Sequence, residues 1–199
     1  MKKTCLLLAV LATFFVWSCA SSKTSTAQAG DDVTVVQETK KERKAREKQQ
    51  KQRVDSLAHE KAVQAIVQRH FALTASQVRV GRIGYPVSGL NEDANYVLMQ
   101  GDAGIVQVAL GGPSPGLNGL GGITLPGNIK GFEITQGKNG DVYVSYSMIS
   151  SRMNADVYIT LYGGGDKATA QVTPTLGSDK IELIGQLVPY RNKDLKIDP

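Results

Sequence analysis

The stretch Gly131-Phe132-Glu133-Ile134-Thr135-Gln136-Gly137-Lys138-Asn139-Gly140-Asp141-Val142-Tyr143-Val144-Ser145-Tyr146-Ser147-Met148-Ile149 decides the fold. Asn139-Gly140 lies between two β-prone runs, residues 131–136 and 142–149. An Asn-Gly pair in that position is the strongest short-range sign of a hairpin, because both residues accept the positive φ of a tight turn. In the second run Val142, Val144, Tyr146 and Met148 alternate with Tyr143, Ser145 and Ser147. A period of two sends the first set to one face and the second to the other, which is a half-buried strand.

The pattern repeats on both sides. Upstream, residues 71–80, 95–100 and 105–110 read as strands, the last two joined by Gly101-Asp102. Downstream, Val157, Ile159 and Leu161 alternate, Gly163-Gly164-Gly165-Asp166 turns the chain, Ala168, Ala170 and Val172 return, and Gly177-Ser178 precedes residues 181–188. Turn residues at such short intervals are an all-β signature, and consecutive hairpins make neighbouring strands antiparallel. The expected fold is all-β: a single antiparallel meander of about eight strands over residues 70–190, forming a small barrel or a sandwich. Residues 191–199 form a polar C-terminal tail. The small inward candidates Ala168, Ala170 and Gly185 permit a cavity, whereas Val142, Val144, Ile159 and Leu161 would fill one.

Residues 38–69 have a different composition, rich in helix formers and free of Gly and Pro. Glu42 with Arg46 and Glu47 with Lys51 stand at i,i+4 in the favourable order. The first half is polar on all sides, so a charged helical stalk through solvent is expected. In the second half Val54, Leu57, Ala58, Ala62, Ala65 and Ile66 form a narrow stripe suited to docking on the β domain or on a partner helix. The formal net charge of +5 comes from this segment, from Lys40-Lys41 through Lys48, Lys51 and Arg53. A nucleic-acid partner is therefore not expected, since the β domain lacks the basic excess that would bind one. The stalk's charge reads as a solvated spacer, or as contact with anionic lipid or cell-wall polymer.

Before the stalk, Met1-Lys2-Lys3 leads an apolar run from Leu6 to Trp17, followed by Ser18-Cys19-Ala20. That is an export signal, and the run is short of the roughly 20 residues that span a bilayer. The cysteine resembles a bacterial lipobox. The resemblance implies a signal peptide over residues 1–18, acylation at Cys19 and a flexible linker over residues 19–37. Several acyl chains on one residue would hold the protein to its membrane. Ala20-Ser21-Ser22-Lys23 has no Asp beside the cysteine and no acidic cluster. By the same resemblance the outer membrane is favoured, with the domain facing the periplasm rather than displayed at the surface. Cys5 lies in the removed segment, so no disulfide framework is expected.

Gly121-Gly122-Ile123 before a hairpin, the Asn139-Gly140 turn with its Val/Tyr strand, and the terminal Gly185-Gln186-Leu187 resemble, in that order, the lipoproteins of domain of unknown function 4251 from gut Bacteroidetes. The resemblance covers residues 71–189, together with the lipobox and the charged lead-in. It implies the fold and the location and supplies no catalytic residue. Where many members have an aromatic Tyr/Pro segment, this chain has a Gly-rich run from Gly111 to Gly122.

Gly112-Pro113-Ser114-Pro115-Gly116 fits the G-x-S-x-G pattern, but Pro115 has no N–H for an oxyanion hole, and both His59 and His70 precede the serine. The glycines match neither phosphate-binding fingerprint. The histidines are too far apart to share a helical face, and Glu92-Asp93 lacks calcium-loop spacing. No catalytic residue, metal site or cofactor is expected. Two features remain. Gly111, Gly112, Ser114, Gly116, Asn118 and Gly121 mark a long loop that is a candidate ligand mouth, and Tyr143, Tyr146, Tyr158 and Tyr162 are candidates to line a cavity or a sugar-stacking face. The favoured function is a non-enzymatic binding or interaction module with an envelope-protein or cell-wall partner. The alternative is a lipocalin-like carrier of a small apolar ligand.

Overall fold

The computed structural model describes residues 39–81, 85–87, 94–111, 116, 119, 121–175 and 180–190, all within one compact unit, Glu38–Pro199. The expected lipidation site Cys19, the signal segment 1–18, the linker 19–37, the tail 191–199, and Gly112, Ser114 and Asn118 of the Gly-rich loop lie outside the described residues. Among the described residues one α-helix, α1 (Lys40–Val67), precedes nine strands. These are β1 (His70–Val80), β2 (Tyr85–Val87), β3 (Tyr96–Gln100), β4 (Ala103–Val108), β5 (Ile123–Gln136), β6 (Val142–Ile149), β7 (Ala155–Leu161), β8 (Lys167–Pro174) and β9 (Ile181–Pro189).

Every pairing between these strands is antiparallel, and β1 pairs with β9 from Phe71↔Pro189 to Val80↔Ile181. That seam makes the meander a closed barrel rather than a sandwich. The short β2 pairs only with the far end of β1, so eight strands form the wall. The hairpin read from Asn139-Gly140 is present: its turn occupies Lys138–Gly140, with φ of 66° at Asn139 and 83° at Gly140. Gly137 N–H donates to the Asp141 carbonyl across it at 2.8 Å.

β5 departs from expectation, starting at Ile123 instead of at Gly131. Pro126 and Gly127 read as strand breakers, yet both are paired with β4, Pro126 with Ile105 and Gly127 with Gly104. The ring is tolerated because β6 joins only from Asn128, so at Pro126 the strand has no second neighbour that needs an N–H. A bulge between Lys130 and Glu133 then bends β5.

The inward positions of the barrel merge into one apolar core. Phe71, Leu73, Met99, Val144, Met148, Ile159 and Leu187 are each fully buried in it. Ala168 and Ala170 are buried too, but they sit opposite Leu161 and Ile159, so small residues are matched by large ones across the ladder. Eight strands enclose an interior that side chains can fill, and here they do.

α1 closes one end. Thr39 and Glu42 form a reciprocal capping box: the Thr39 hydroxyl accepts from Glu42 N–H at 3.3 Å and Thr39 N–H donates to the Glu42 carboxylate at 2.9 Å. Those bonds to Thr39 hold the Glu42 carboxyl below its ordinary pKa. Only the last turns of the stripe dock: Ala62, Ala65 and Ile66 are buried, while Val54 and Leu57 are more than half exposed. His59 donates from Nδ1 to the Gly165 carbonyl at 2.9 Å. Arg69, just after the helix, reaches Asp102 at 2.7 Å and lies 4.4 Å from the Phe132 ring centroid. The capped end therefore carries the turns after β3 and β7, and Val108, the last residue of β4, lies toward the opposite end.

Candidate functional site

Because the interior is filled, polar groups able to meet a ligand are on the outer wall. The outward positions of four consecutive strands line up by register: Glu133 on β5 faces Ser145 on β6, Ser145 faces Tyr158 on β7, and Tyr158 faces Gln171 on β8. This row floors an open cleft of about 420 Å³. Ser147, Asp156 and Lys180 also line it. Ser147 donates its hydroxyl to Asp156 Oδ1 at 2.6 Å, which fixes the carboxylate's orientation. Tyr158 is 42% exposed, and its ring lies nearly parallel to that of Tyr143, 16° between planes and 6.2 Å between centroids. Tyr143 is held from behind by Gly137, where an added Cβ would come within 2.7 Å of the ring. The bulge in β5 places Gly131 at the cleft's edge, with no side chain to close it.

A second groove, about 510 Å³, crosses the outer wall of β3 to β6 and is mainly apolar, with Leu98, Ile105, Pro126 and Ile149 along it. It adjoins a small outer cluster in which Ala72, Tyr96 and Leu98 are covered by Tyr190. Burial, and then the neighbouring Tyr190, raise the Tyr96 hydroxyl's pKa. The basic half of α1 is exposed throughout, with Arg43 and Glu47 paired at 3.6 Å.

Of the expected loop residues, Gly116 forms a parallel bridge with Gly122, and Gly121 packs directly against the Gly111 carbonyl. Its root is anchored by the fully buried Asn95, whose side chain accepts from Ala109 N–H at 2.8 Å and donates to Ala109 C=O at 3.2 Å. The four tyrosines separate: Tyr143, Tyr158 and Tyr162 face outward, and Tyr146 points into the core against Phe132, 6.3 Å between centroids. His59 bonds to the β7–β8 turn and His70 packs on Tyr190. Among the described residues no group of three His, Cys, Asp or Glu is arranged to hold a metal, and no helix is long and apolar enough to cross a membrane. Glu133, Asp156, Gln171 and Lys180 were not singled out from sequence. Alternation places Glu133, Asp156 and Gln171 on the outer face, but only lateral register gathers them, with Lys180 reaching the cleft from just before β9.

The Tyr146 hydroxyl has no hydrogen-bond partner, and burial drives its pKa far above the usual phenol range. An unsatisfied buried hydroxyl costs about 1–3 kcal/mol. Tyr146→Phe is therefore expected to stabilise the fold by about 1 kcal/mol or more, measured as a higher urea midpoint at unchanged m. A destabilised Tyr146→Phe protein would show that the hydroxyl is satisfied in solution.

Residues 53–187 match the family model described as domain of unknown function 4251. A crystal structure of a DUF4251 family protein from Bacteroides eggerthii DSM 20697, at 1.95 Å resolution, superimposes with a TM-score of 0.60 and 32% sequence identity, covering 69% of this chain and 91% of that one. No curated protein matches the chain.

Proposed function

Since the chain belongs to the family of domain of unknown function 4251, whose description names no activity, we propose that it is a lipid-anchored, non-enzymatic binding module of the cell envelope. The observation that carries this reading is the filled barrel: with Phe71, Met99, Met148 and Leu187 fully buried inside and α1 over one end, recognition falls to the outer wall. The same packing of the described residues speaks against the apolar cargo of a lipocalin-like carrier. Acylation at Cys19 would anchor the chain in the outer membrane, facing the periplasm. Residues 19–37 would serve as a tether, and the exposed basic half of α1 would hold the barrel off the bilayer.

The anchor is tested by growing the producing host with an alkyne-labelled palmitate. The wild-type chain should take up label and fractionate with membranes. Cys19→Ser should lose the label and leave the membrane fraction. Label retained on Cys19→Ser would end the lipoprotein reading.

A further inference from the structure

We propose that the cleft across β5 to β8 binds an oligosaccharide of about three sugar units, lying perpendicular to the strands. The inference rests on the reading of the barrel as a surface-binding module and names the ligand class of its cleft. Three features of the cleft converge on this chemistry. First, Tyr158 lines the cleft with an exposed ring, and the neighbouring Tyr143, backed by Gly137, stacks nearly parallel to it at 6.2 Å between centroids. The apolar C–H face of a pyranose packs on such a ring, and two χ angles per side chain make the platform inexpensive to order. Second, the groups around the rings are matched to hydroxyls. Glu133 and Asp156 accept, Gln171 both accepts and donates, Ser145 does the same, and Lys180 donates. Asp156 is already oriented by Ser147 at 2.6 Å, so less freedom is lost on binding. Third, the size agrees: four strands at about 4.8 Å spacing make a floor about 14 Å wide, the span of about three pyranose rings.

Other ligand classes fit less well. The charged groups lining the cleft are two carboxylates, Glu133 and Asp156, and one ammonium, Lys180. A polyphosphate or nucleic acid would meet net repulsion there. An acyl chain would find no outward aliphatic side chain on the row Glu133, Ser145, Tyr158, Gln171. The apolar groove across β3 to β6, which shares β5 and β6 with the cleft, shows what such a surface looks like in this protein. A neutral saccharide meets neither objection.

The test is calorimetry and saturation-transfer NMR on the full chain with defined trisaccharides: α- and β-linked glucose, mannose, xylose and N-acetylglucosamine. At least one should bind with a Kd below about 1 mM, a range ordinary for a shallow site. Tyr158→Ala should weaken it at least tenfold, while Tyr162→Ala, an equally exposed tyrosine outside the cleft, should leave it unchanged. No binding below that limit, or equal losses in the two variants, overturns the saccharide. In parallel, a photocrosslinking amino acid in place of Thr173, which also lines the cleft, is activated in the producing host. A glycosidase-sensitive adduct supports the proposal. A protease-sensitive adduct overturns it and leaves the binding-module reading standing, and no adduct at all removes both.

Discussion

Gly185→Ala is expected to destabilise the protein by about 3 kcal/mol or more, the upper end of what overpacking costs. Gly185 lies on β9 opposite Ala75, where β1 carries its bulge between Ala75 and Gln77. A Cβ there would overlap the Thr74 carbonyl and come within 2.8 Å of the Ala75 Cα. Both neighbours are backbone of the strand that closes the barrel, so no side-chain rotation relieves the clash. Either the bulge shifts or the seam opens. The thermal midpoint should fall by roughly 10 °C for a domain of this size. Gly165 is the control: a Cβ there meets nothing within 4 Å, and Gly165→Ala should stay within about 0.5 kcal/mol of wild type. Equal midpoints for the two variants would mean that β1 and β9 are not joined as described.

Ile66→Ala is expected to cost about 3 kcal/mol, and Leu57→Ala less than about 0.5 kcal/mol. Both side chains belong to the apolar stripe of α1, nine positions apart, and their helix propensities differ by far less than the two losses do. Their burial differs completely: Ile66 is 0% exposed in the barrel's core and Leu57 is 56% exposed. Chemical denaturation of the two variants therefore measures where the stripe stops docking. Similar losses at both positions would place the whole stripe against a partner surface, contrary to the partial docking of Ala62, Ala65 and Ile66.

The β5–β6 hairpin was legible because its determinants are adjacent in the chain: an Asn-Gly pair and an alternating strand. The start of β5 was not, because Pro126 breaks a strand only when both its edges are paired, and edge pairing is a property of neighbours distant in sequence. β2 escaped notice because three residues are too few for any period to show. The tyrosines were recognised as a group, yet their division between core and outer wall followed strand parity, with Tyr146 inside and Tyr143 and Tyr158 outside. The polar partners of the cleft come from four strands and from Lys180 just before β9, and nothing local marks Gln171 or Lys180 as belonging with Glu133.

Apart from β2 and the first half of β5, the sequence by itself determined the strands, their order, their antiparallel sense and the charged helix before them, because alternation, turn chemistry and helix propensity act over a few residues. Tertiary structure alone decided that β1 meets β9, that α1 covers one end, that the interior is packed, and that Glu133, Ser145, Tyr158 and Gln171 share one floor. Those outcomes depend on lateral register and on the summed volumes of side chains from many strands, quantities that exist only once distant segments are side by side.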